Sequence, residues 1–323
     1  MYCPRLDHFV RFNADGTVGK CGHMIGAPGF ENWESMQSSQ WLLDIRAKME
    51  KDIWPQECQR CKDTEPSHSI RLFSIKKHAM LNKNPDYLIL GGVLDNICNS
   101  ACQSCNAGLS TKIGSLQSAN YPRIDNGFLF DRVPMERVVE IDINGGEPTA
   151  SPGYQKLLEN LPPSTKILRV NTNGSRMLPN IQNILDQDIK LIVTLSLDGI
   201  GRTHDYVRWP VRWANYERTV NKYLLLRSQH TNLELQTWTT LHALNVADFS
   251  NIKNYSQSHD INHSWAYLEN PSALNLRYQN SFSQPAKDLD PGFIATEQNN
   301  QQDIDDFIAR QDKLRNINIR DYL

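Results

Sequence analysis

The sequence predicts an α/β protein whose main part is a partial TIM-type barrel of six βα units. From about residue 86 onward, apolar runs of strand length alternate with helical patterns, which is typical of a parallel sheet. The chain has 323 residues, which is enough to bury a large core as one big domain or as one domain with an appendage. We expect a cysteine-rich module over 1–75, the barrel over 76–284, and a C-terminal loop and helix over 285–323.

The N-terminal module begins with a predicted β-hairpin over 8–21 that turns at Asp15-Gly16. Asn32 is a candidate N-cap for a single helix from about Trp33 to Met49. At the other end of the chain, 285–303 is polar and predicts a loop, and a helix is expected near 303–317.

The barrel segment contains six candidate strands and four candidate helices. The strands are Tyr87–Leu94, Val138–Asn144, Lys166–Thr172, Lys190–Leu197, Leu233–Leu241 and Ser264–Leu268. The helices lie near 152–161, 179–187, 211–228 and 247–258.

Polar side chains gather where these strands end. Ser196 and Asp198 alternate with leucines that are expected to be buried. Asn171 and Asn173 likewise lie on the polar face at the end of the preceding strand. Such groups fit a site at the C-terminal face of a barrel. They also fit turns in which polar side chains satisfy backbone groups. Trp238, Gln236 and Trp265 are candidates either for the pocket lining or for core packing.

Charge and cysteine usage limit the classes of function. The formal net charge is −2, which offers no basic footprint for nucleic acid. We expect no membrane partner, because no run of about 18 apolar residues occurs, and no secretory signal is seen at the start. The seven cysteines fall in tight groups, which favours metal binding in a reducing compartment over a disulfide framework. A cytoplasmic location is therefore expected.

The spacing C-x3-C-x2-C of Cys98, Cys102 and Cys105 is the most informative feature of the chain. Three thiolates can hold three irons of a 4Fe–4S cube and leave the fourth iron open to an exogenous ligand. Alternatives are a zinc site or core thiols, although zinc prefers four closed ligands and no histidine is near.

One βα unit later comes 143-INGGEPTASP-152. With this Gly-Gly-Glu-Pro turn and the cysteine triplet, the chain resembles the radical S-adenosylmethionine (radical SAM) superfamily from Cys3 to about Ser283. The resemblance implies a catalytic 4Fe–4S cluster on the triplet and SAM as the second cofactor. One position departs from the family pattern, because Ser104 stands where an aromatic residue usually lies near the adenine.

The resemblance also implies roles for individual residues. Gly145, Gly146 and Glu147 would bind the amino group of SAM, and Ser196 with Asp198 would contact its ribose. Asn173 lies in a turn similar to the Thr-Asn-Gly turn of these barrels. Arg208 matches an arginine of the SPASM and twitch subfamilies, and it would pair with a carboxylate of SAM or of the substrate, or with Asp205 on the surface.

Four cysteines remain outside the triplet, and they are Cys3, Cys21, Cys58 and Cys61. They resemble the auxiliary-cluster module called twitch, which usually follows the barrel and here precedes it. A second 4Fe–4S cluster is expected on them, with zinc as the alternative.

The resemblance implies an enzyme that cleaves SAM reductively to a 5′-deoxyadenosyl radical and abstracts a substrate hydrogen. We expect oxidative or cross-linking modification of a peptide or protein, with a one-electron donor such as flavodoxin or ferredoxin. If all seven cysteines bind iron, none is left to return a hydrogen atom, which argues against epimerisation. Two alternatives are a radical SAM enzyme for a sugar or nucleotide, and a catalytically silent metal-binding module.

Overall fold

The computed structural model describes residues 1–65, 69–81, 86–117, 123–278 and 301–323. These residues form eight strands, namely β1 Phe9–Phe12, β2 Val18–Gly19, β3 Leu88–Val93, β4 Val138–Asn144, β5 Ile167–Thr172, β6 Lys190–Ser196, β7 Leu233–Leu241 and β8 Asn262–Tyr267. They also form twelve α-helices, namely α1 Arg5–His8, α2 Trp33–Gln37, α3 Gln40–Glu50, α4 Gln59–Thr64, α5 Ile70–Leu81, α6 Thr111–Gln117, α7 Pro152–Glu159, α8 Ile181–Leu185, α9 Arg202–Val207, α10 Trp213–Gln229, α11 Phe249–Ser258 and α12 Gln301–Arg315.

The chain divides into two compact units. The first unit contains Met1–Asp95, Ile124–Gly145 and Pro152–Arg169, and the second contains Asn96–Arg123, Gly146–Ser151 and Val170–Leu323. The hydrogen-bonded strand order is β2-β1-β3-β4 in the first unit and β6-β7-β8 in the second.

In the first unit the predicted hairpin is confirmed. β1 pairs antiparallel with β2, and Gly16 in the turn has a φ of 84°. β1 also pairs in parallel with β3, and β3 pairs in parallel with β4. The hairpin is therefore part of the sheet, because the exposed edge of β3 would otherwise leave a row of backbone groups without partners.

The single helix expected over Trp33–Met49 is wrong. Asn32 does cap α2, and its side chain accepts a hydrogen bond from Ser35 N at 2.8 Å. The chain leaves the helix at Ser38, and the Ser39 side chain then caps α3. Serine side chains compete with the backbone for hydrogen bonds, so two adjacent serines favour an end and a new start.

In the second unit β6, β7 and β8 are parallel neighbours. Along β7 the residues Leu233, Leu235, Thr237, Thr239 and Leu241 are buried, while the alternate residues are more exposed. This alternation is the period of two that one-sided burial imposes on a strand. α10 packs with Tyr216, Val220 and Tyr223 buried, and α11 with Phe249 and Ile252 buried.

The α/β class and the mostly parallel sheet are thus confirmed, and so are the six strands predicted from residue 86 onward. The last strand runs over Asn262–Tyr267 instead of Ser264–Leu268. Closure of the sheet into a partial barrel and the boundaries at 75 and 284 stay predictions. Most of the predicted loop 285–303 lies outside the described residues, and the C-terminal helix begins at Gln301. No helix among the described residues is long and apolar enough to cross a bilayer.

His204 on α9 and His242 after β7 are completely buried. Burial lowers the pKa of His204 to about 3 and the pKa of His242 to about 4. In the unfolded chain both rings titrate near pH 6.5. Between about pH 6.5 and 4 the unfolded chain therefore binds more protons than the folded chain. The free energy of unfolding falls as the pH falls through that window, by up to about 1.4 kcal/mol per pH unit for each ring.

We predict that the free energy of unfolding of His204→Gln will fall by about 1 kcal/mol less than that of the wild type between pH 7.5 and 5.5, because protonation of His204 in the unfolded chain no longer contributes. Urea unfolding at the two pH values measures this difference. Gln257→Ala, an exposed change on α11, should keep the wild-type difference. An unaltered pH dependence in His204→Gln would mean that the folded protein already carries a protonated His204.

Candidate functional site

The cysteine triplet lies in the second unit, on the chain that follows β3. Cys102 is buried, Cys98 and Cys105 are half-buried, and all seven cysteines of the chain are free thiols. Two backbone hydrogen bonds hold this loop, from Ala101 N to Trp209 O at 2.7 Å and from Gln103 N to Val207 O at 2.8 Å. The spacing between the three thiols is therefore set by a loop that is anchored at its middle.

A buried arginine at the end of α12 provides a second anchor. Arg315 Nε and Nη2 donate to Ala101 O at 2.9 and 2.7 Å, and Arg315 is only 6% exposed. Nothing in the sequence marks Arg315 as a buried residue, because an arginine near a C-terminal helix end is usually a surface group. No spacing in the sequence links it to the cysteine loop 214 residues earlier.

The three thiols lie close enough together for their charges to affect one another's pKa values. Burial, then the neighbouring charges of Cys102, Glu147 and Cys105, raise the pKa of Cys98 to about 12. Burial and Cys102 raise the pKa of Cys105 to about 11, and burial raises that of Cys102. Without a metal the thiols stay protonated, whereas a bound metal centre deprotonates coordinating thiols. Three cysteines without a fourth fit a 4Fe–4S cube with one open iron.

The Gly-Gly-Glu-Pro turn follows β4, and both of its glycines have positive φ angles. Gly145 has a φ of 100° and Gly146 a φ of 56°. A Cβ on Gly145 would collide with the Asp95 carbonyl oxygen and the Val93 side chain. Only glycine takes up such a position without strain.

Glu147, the next residue, is 1% exposed and its carboxylate accepts four hydrogen bonds. Oε1 accepts from Thr149 N, Thr149 Oγ1 and Thr172 Oγ1 at 3.1, 2.9 and 2.8 Å. Among the described residues Oε2 accepts from Asn173 N alone, at 2.7 Å, and so keeps capacity for another donor. Burial raises the pKa of Glu147, while these hydrogen bonds lower it.

The turn of Glu147 is joined directly to the cysteine loop. Glu147 N donates to the carbonyl oxygen of Ile97, the residue before Cys98, at 2.7 Å. Asn173 adds a second link, because its Nδ2 donates to Asn99 Oδ1 and to Ser100 Oγ at 2.7 Å each. The structure thus brings Glu147, Asn173 and the triplet together, and the Asn173 amide is used in holding the loop.

Asp198 and Arg208 form a buried ion pair after β6. Arg208 Nη1 donates to Asp198 Oδ2 at 2.5 Å, and Asp198 Oδ1 accepts from Thr240 N at 2.8 Å. The surface pairing of Arg208 with Asp205 does not occur, since Asp205 accepts from Trp213 N and Arg212. Arg208 also lies near Cys102, whose pKa its charge lowers.

Ser196 ends β6 and is half-buried. Among the described residues its hydroxyl has no hydrogen-bond partner. Of the three candidate lining residues, Trp238 is 41% exposed, and Gln236 donates to Glu234 on the same face of β7. Trp265 packs edge-on against Phe249 and Tyr267. Trp238 and Gln236 therefore do not belong to the core.

The remaining four cysteines come together in the first unit. Cys3, Cys21, Cys58 and Cys61 line one small cavity, which Arg5, His23 and three apolar side chains complete. Burial and the charges of the other three thiols raise the pKa of Cys58 to about 12, and burial raises that of Cys3 to about 11. Four thiols around one cavity fit either a fully ligated cluster or zinc. Among the described residues, no three His, Cys, Asp or Glu side chains are already arranged around a point that could hold a single metal ion.

No protein-family model matches the sequence, and no curated protein matches it. Structures of SuiB from Streptococcus suis are similar to the chain. The one bound to S-adenosylmethionine has a TM-score of 0.44 and 14% identity, covering 97% of this chain and 71% of that chain. The one bound to the precursor peptide SuiA has a TM-score of 0.42 and 13% identity, covering 97% and 70%. The similarity is distant and assigns no role to any residue of this chain.

We predict that Arg315→Ala will lower the free energy of unfolding by about 2 kcal/mol, because the Ala101 carbonyl would lose its donors. The reaction of Cys102 with a thiol reagent such as dithionitrobenzoate should become faster in the metal-free protein, since the loop is less restrained. Arg310→Ala removes an exposed arginine from the same helix and should change neither quantity. Equal stability of the two variants would contradict the anchoring role.

Proposed function

We propose that the protein is a radical SAM enzyme that modifies a peptide or protein. The observation that carries the proposal is the hydrogen bond between Glu147 N and Ile97 O, at 2.7 Å. It joins the turn that bears a buried carboxylate to the loop that bears three thiols. A metal-binding module without SAM chemistry has no need of such a carboxylate beside an incompletely ligated cluster.

In this proposal Cys98, Cys102 and Cys105 would hold a 4Fe–4S cluster, and SAM would bind next to it. When bound, the cluster and SAM supply the one-electron cleavage of SAM and the removal of a hydrogen atom from the substrate. The anchored loop keeps the three thiolates at fixed positions. Arg208 and Arg315 lie near Cys102 and provide positive charge beside the thiolates.

Glu147 would accept a hydrogen bond from the ammonium group of SAM. Its Oε2 accepts a single internal hydrogen bond, so one lone pair can take that donor. The three internal donors on Oε1 fix the carboxylate and keep it from rotating away. A preorganised carboxylate loses little conformational freedom when the ligand binds.

The end of β6 would bind the sugar and carboxylate parts of SAM. The Ser196 hydroxyl is available for a ribose hydroxyl. Asp198 is held by Arg208 and Thr240 N, so it would act mainly by orienting the guanidinium. Arg208 Nε is buried without a hydrogen-bond partner among the described residues and could donate to a carboxylate.

For the first unit we propose an auxiliary 4Fe–4S cluster on Cys3, Cys21, Cys58 and Cys61, with zinc as the alternative. Together the two sites would use all seven cysteines, so no thiol would remain to return a hydrogen atom to the substrate. This favours net oxidation or cross-linking over epimerisation. An external one-electron donor such as flavodoxin or ferredoxin and a reducing, cytoplasmic environment belong to this proposal.

We predict that Glu147→Gln will weaken SAM binding at least about tenfold, because a charge-assisted hydrogen bond to the ammonium is lost. Binding of SAM to the anaerobically reconstituted protein is measured by equilibrium dialysis, and the iron content should be unchanged. Thr172→Val removes one donor to Glu147 and keeps the charge, so it should lower stability but change SAM affinity less than about threefold. Glu217→Gln is the exposed control. Wild-type affinity in Glu147→Gln would remove Glu147 from the SAM site.

We predict about eight irons per chain in the reconstituted wild type and about four in the Cys98/Cys102/Cys105→Ala triple variant. Metal analysis for iron and zinc provides the measurement. Four irons with one zinc, and loss of the iron in the triple variant, would make the first-unit site structural while keeping the SAM chemistry. The complete absence of iron from both proteins would contradict the enzyme proposal.

A further inference from the structure

A cleft of about 220 Å³, partly open to solvent, lies in the first unit. We call it the arginine cleft and define it by Arg5, Arg11, His23, Asp142 and Asn144. Its lining residues belong neither to the cysteine triplet nor to the turn of Glu147.

The sheet register explains why these groups meet. Arg11 on β1 pairs with Gly91 on β3, and Gly91 pairs with Asp142 on β4. Directly paired residues project to the same face of a sheet. Gly91 leaves space between the two charged side chains. The Phe9 ring uses part of this space, because a Cβ on Gly91 would lie 2.6 Å from Phe9 Cζ.

The two arginines pack beside neighbouring residues and lack ionic partners among the described carboxylates. The Arg5 guanidinium lies 3.6 Å above the centre of the Phe9 ring. Arg11 Nη1 lies beside Gly22, 2.5 Å from the position that an added Cβ would take. The Nε atoms of Arg5 and Arg11 are buried and have no hydrogen-bond partner among the described residues. Neither arginine forms a salt bridge with a described carboxylate.

Other charges on the same face add to the positive charge of the cleft. Glu140 on β4 is fully buried and pairs with two cations, Lys77 and Arg169, whose Nε lies 2.8 Å from Glu140 Oε1. The charges of Arg169, Lys77 and Arg5 all act on Asp142, the carboxylate that lines the cleft. Cations therefore outnumber carboxylates in and beside the cleft, and an added carboxylate would find a favourable charge there.

We propose that the arginine cleft binds an acidic side chain, Asp or Glu, of the peptide substrate. Guanidinium groups match the planar geometry of a carboxylate and can donate two parallel hydrogen bonds to it. The inference rests on the proposed function, because it names a recognition feature of that peptide.

The neighbouring cavity favours a peptide over a free anion. It shares Arg5, Phe9 and Asp142 with the arginine cleft and is otherwise lined partly by the apolar side chains of Ile70, Phe73 and Ile89. A ligand with an acidic residue next to an apolar residue would occupy both cavities. We therefore expect the acidic residue to be recognised together with an adjacent aliphatic one.

The two arginines have a rival role as counter-charges for an auxiliary cluster. Arg5 also lines the cavity of Cys3, Cys21, Cys58 and Cys61, and the charge of Cys21 acts on Arg11. In that role, removal of an arginine would shift the reduction potential of the cluster. It would affect acidic and neutral ligands equally.

The test uses the anaerobically reconstituted protein and two matched probes, the N-acetyl dipeptide amides Glu-Leu and Gln-Leu. Their Kd values are measured by isothermal titration calorimetry. We expect the wild type to bind the Glu-Leu probe at least about tenfold more tightly, the difference that a single charge-assisted hydrogen bond contributes. Arg11→Gln should reduce this ratio to below about threefold, and Arg5→Gln is the second variant if Arg11→Gln does not fold. Arg218→Gln, an exposed change on α10, should keep the wild-type ratio.

For Asp142→Asn we expect the opposite effect, which is tighter binding of the acidic probe. The substitution removes the competing carboxylate and should tighten the Glu-Leu probe about threefold or more, with little change for Gln-Leu, an effect that damage to the fold would not produce. Equal Kd values for the two probes in the wild type would overturn the proposal. So would a shifted cluster potential in Arg11→Gln with an unaltered Kd ratio, or stronger binding of inorganic phosphate than of the Glu-Leu probe. Cleavage of SAM without substrate in the same preparation tests the proposed function separately, because it does not require the cleft.

Discussion

The carboxylate of Glu147 must accept hydrogen bonds where it lies, because a buried charge without partners costs several kcal/mol. Its donors come from its own turn, at Thr149, and from the end of β5, at Thr172 and Asn173. Its backbone N–H binds the cysteine loop at Ile97. Three segments that are far apart in the sequence are therefore joined through one residue, by its carboxylate and by its backbone N–H, and the geometry of the candidate site depends on it.

Each group of cysteines is accompanied by arginines. In the second unit the charges of Arg208 and Arg315 act on Cys102, and in the first unit the charges of Arg5 and Arg71 act on the thiols around Cys61. Burial alone raises the pKa values of these thiols and would oppose metal binding. Nearby cations lower the electrostatic cost of placing several thiolates close together. In each unit the arginines therefore offset part of the negative charge that the cysteine group would carry with a bound metal.

The arginine cleft differs from the ion pairs around it. Glu140 pairs with Lys77 and Arg169, and Asp198 pairs with Arg208, so those charges have partners within the fold. Arg5 stacks on the Phe9 ring and Arg11 lies beside Gly22, and neither forms a salt bridge with a described carboxylate. Positioned guanidinium groups with free donors are what recognition of an anionic ligand requires, since the ordering has been completed before the ligand arrives.

The sequence alone determined the alternation of strands and helices, the parallel character of the sheet and the grouping of the seven cysteines. These properties are local, because they depend on the period of apolar residues and on short spacings such as that of Cys98, Cys102 and Cys105. The break at Ser38–Ser39 was also local, but two weak helix-ending signals stood inside a longer helical pattern. Only the tertiary structure decided that Asn173 holds the cysteine loop, that Arg208 pairs with Asp198 and that Arg315 reaches Ala101. Those contacts join residues 10 to 214 positions apart. Such partners are selected by burial, because a polar group that loses water must find whichever complementary group the fold brings near.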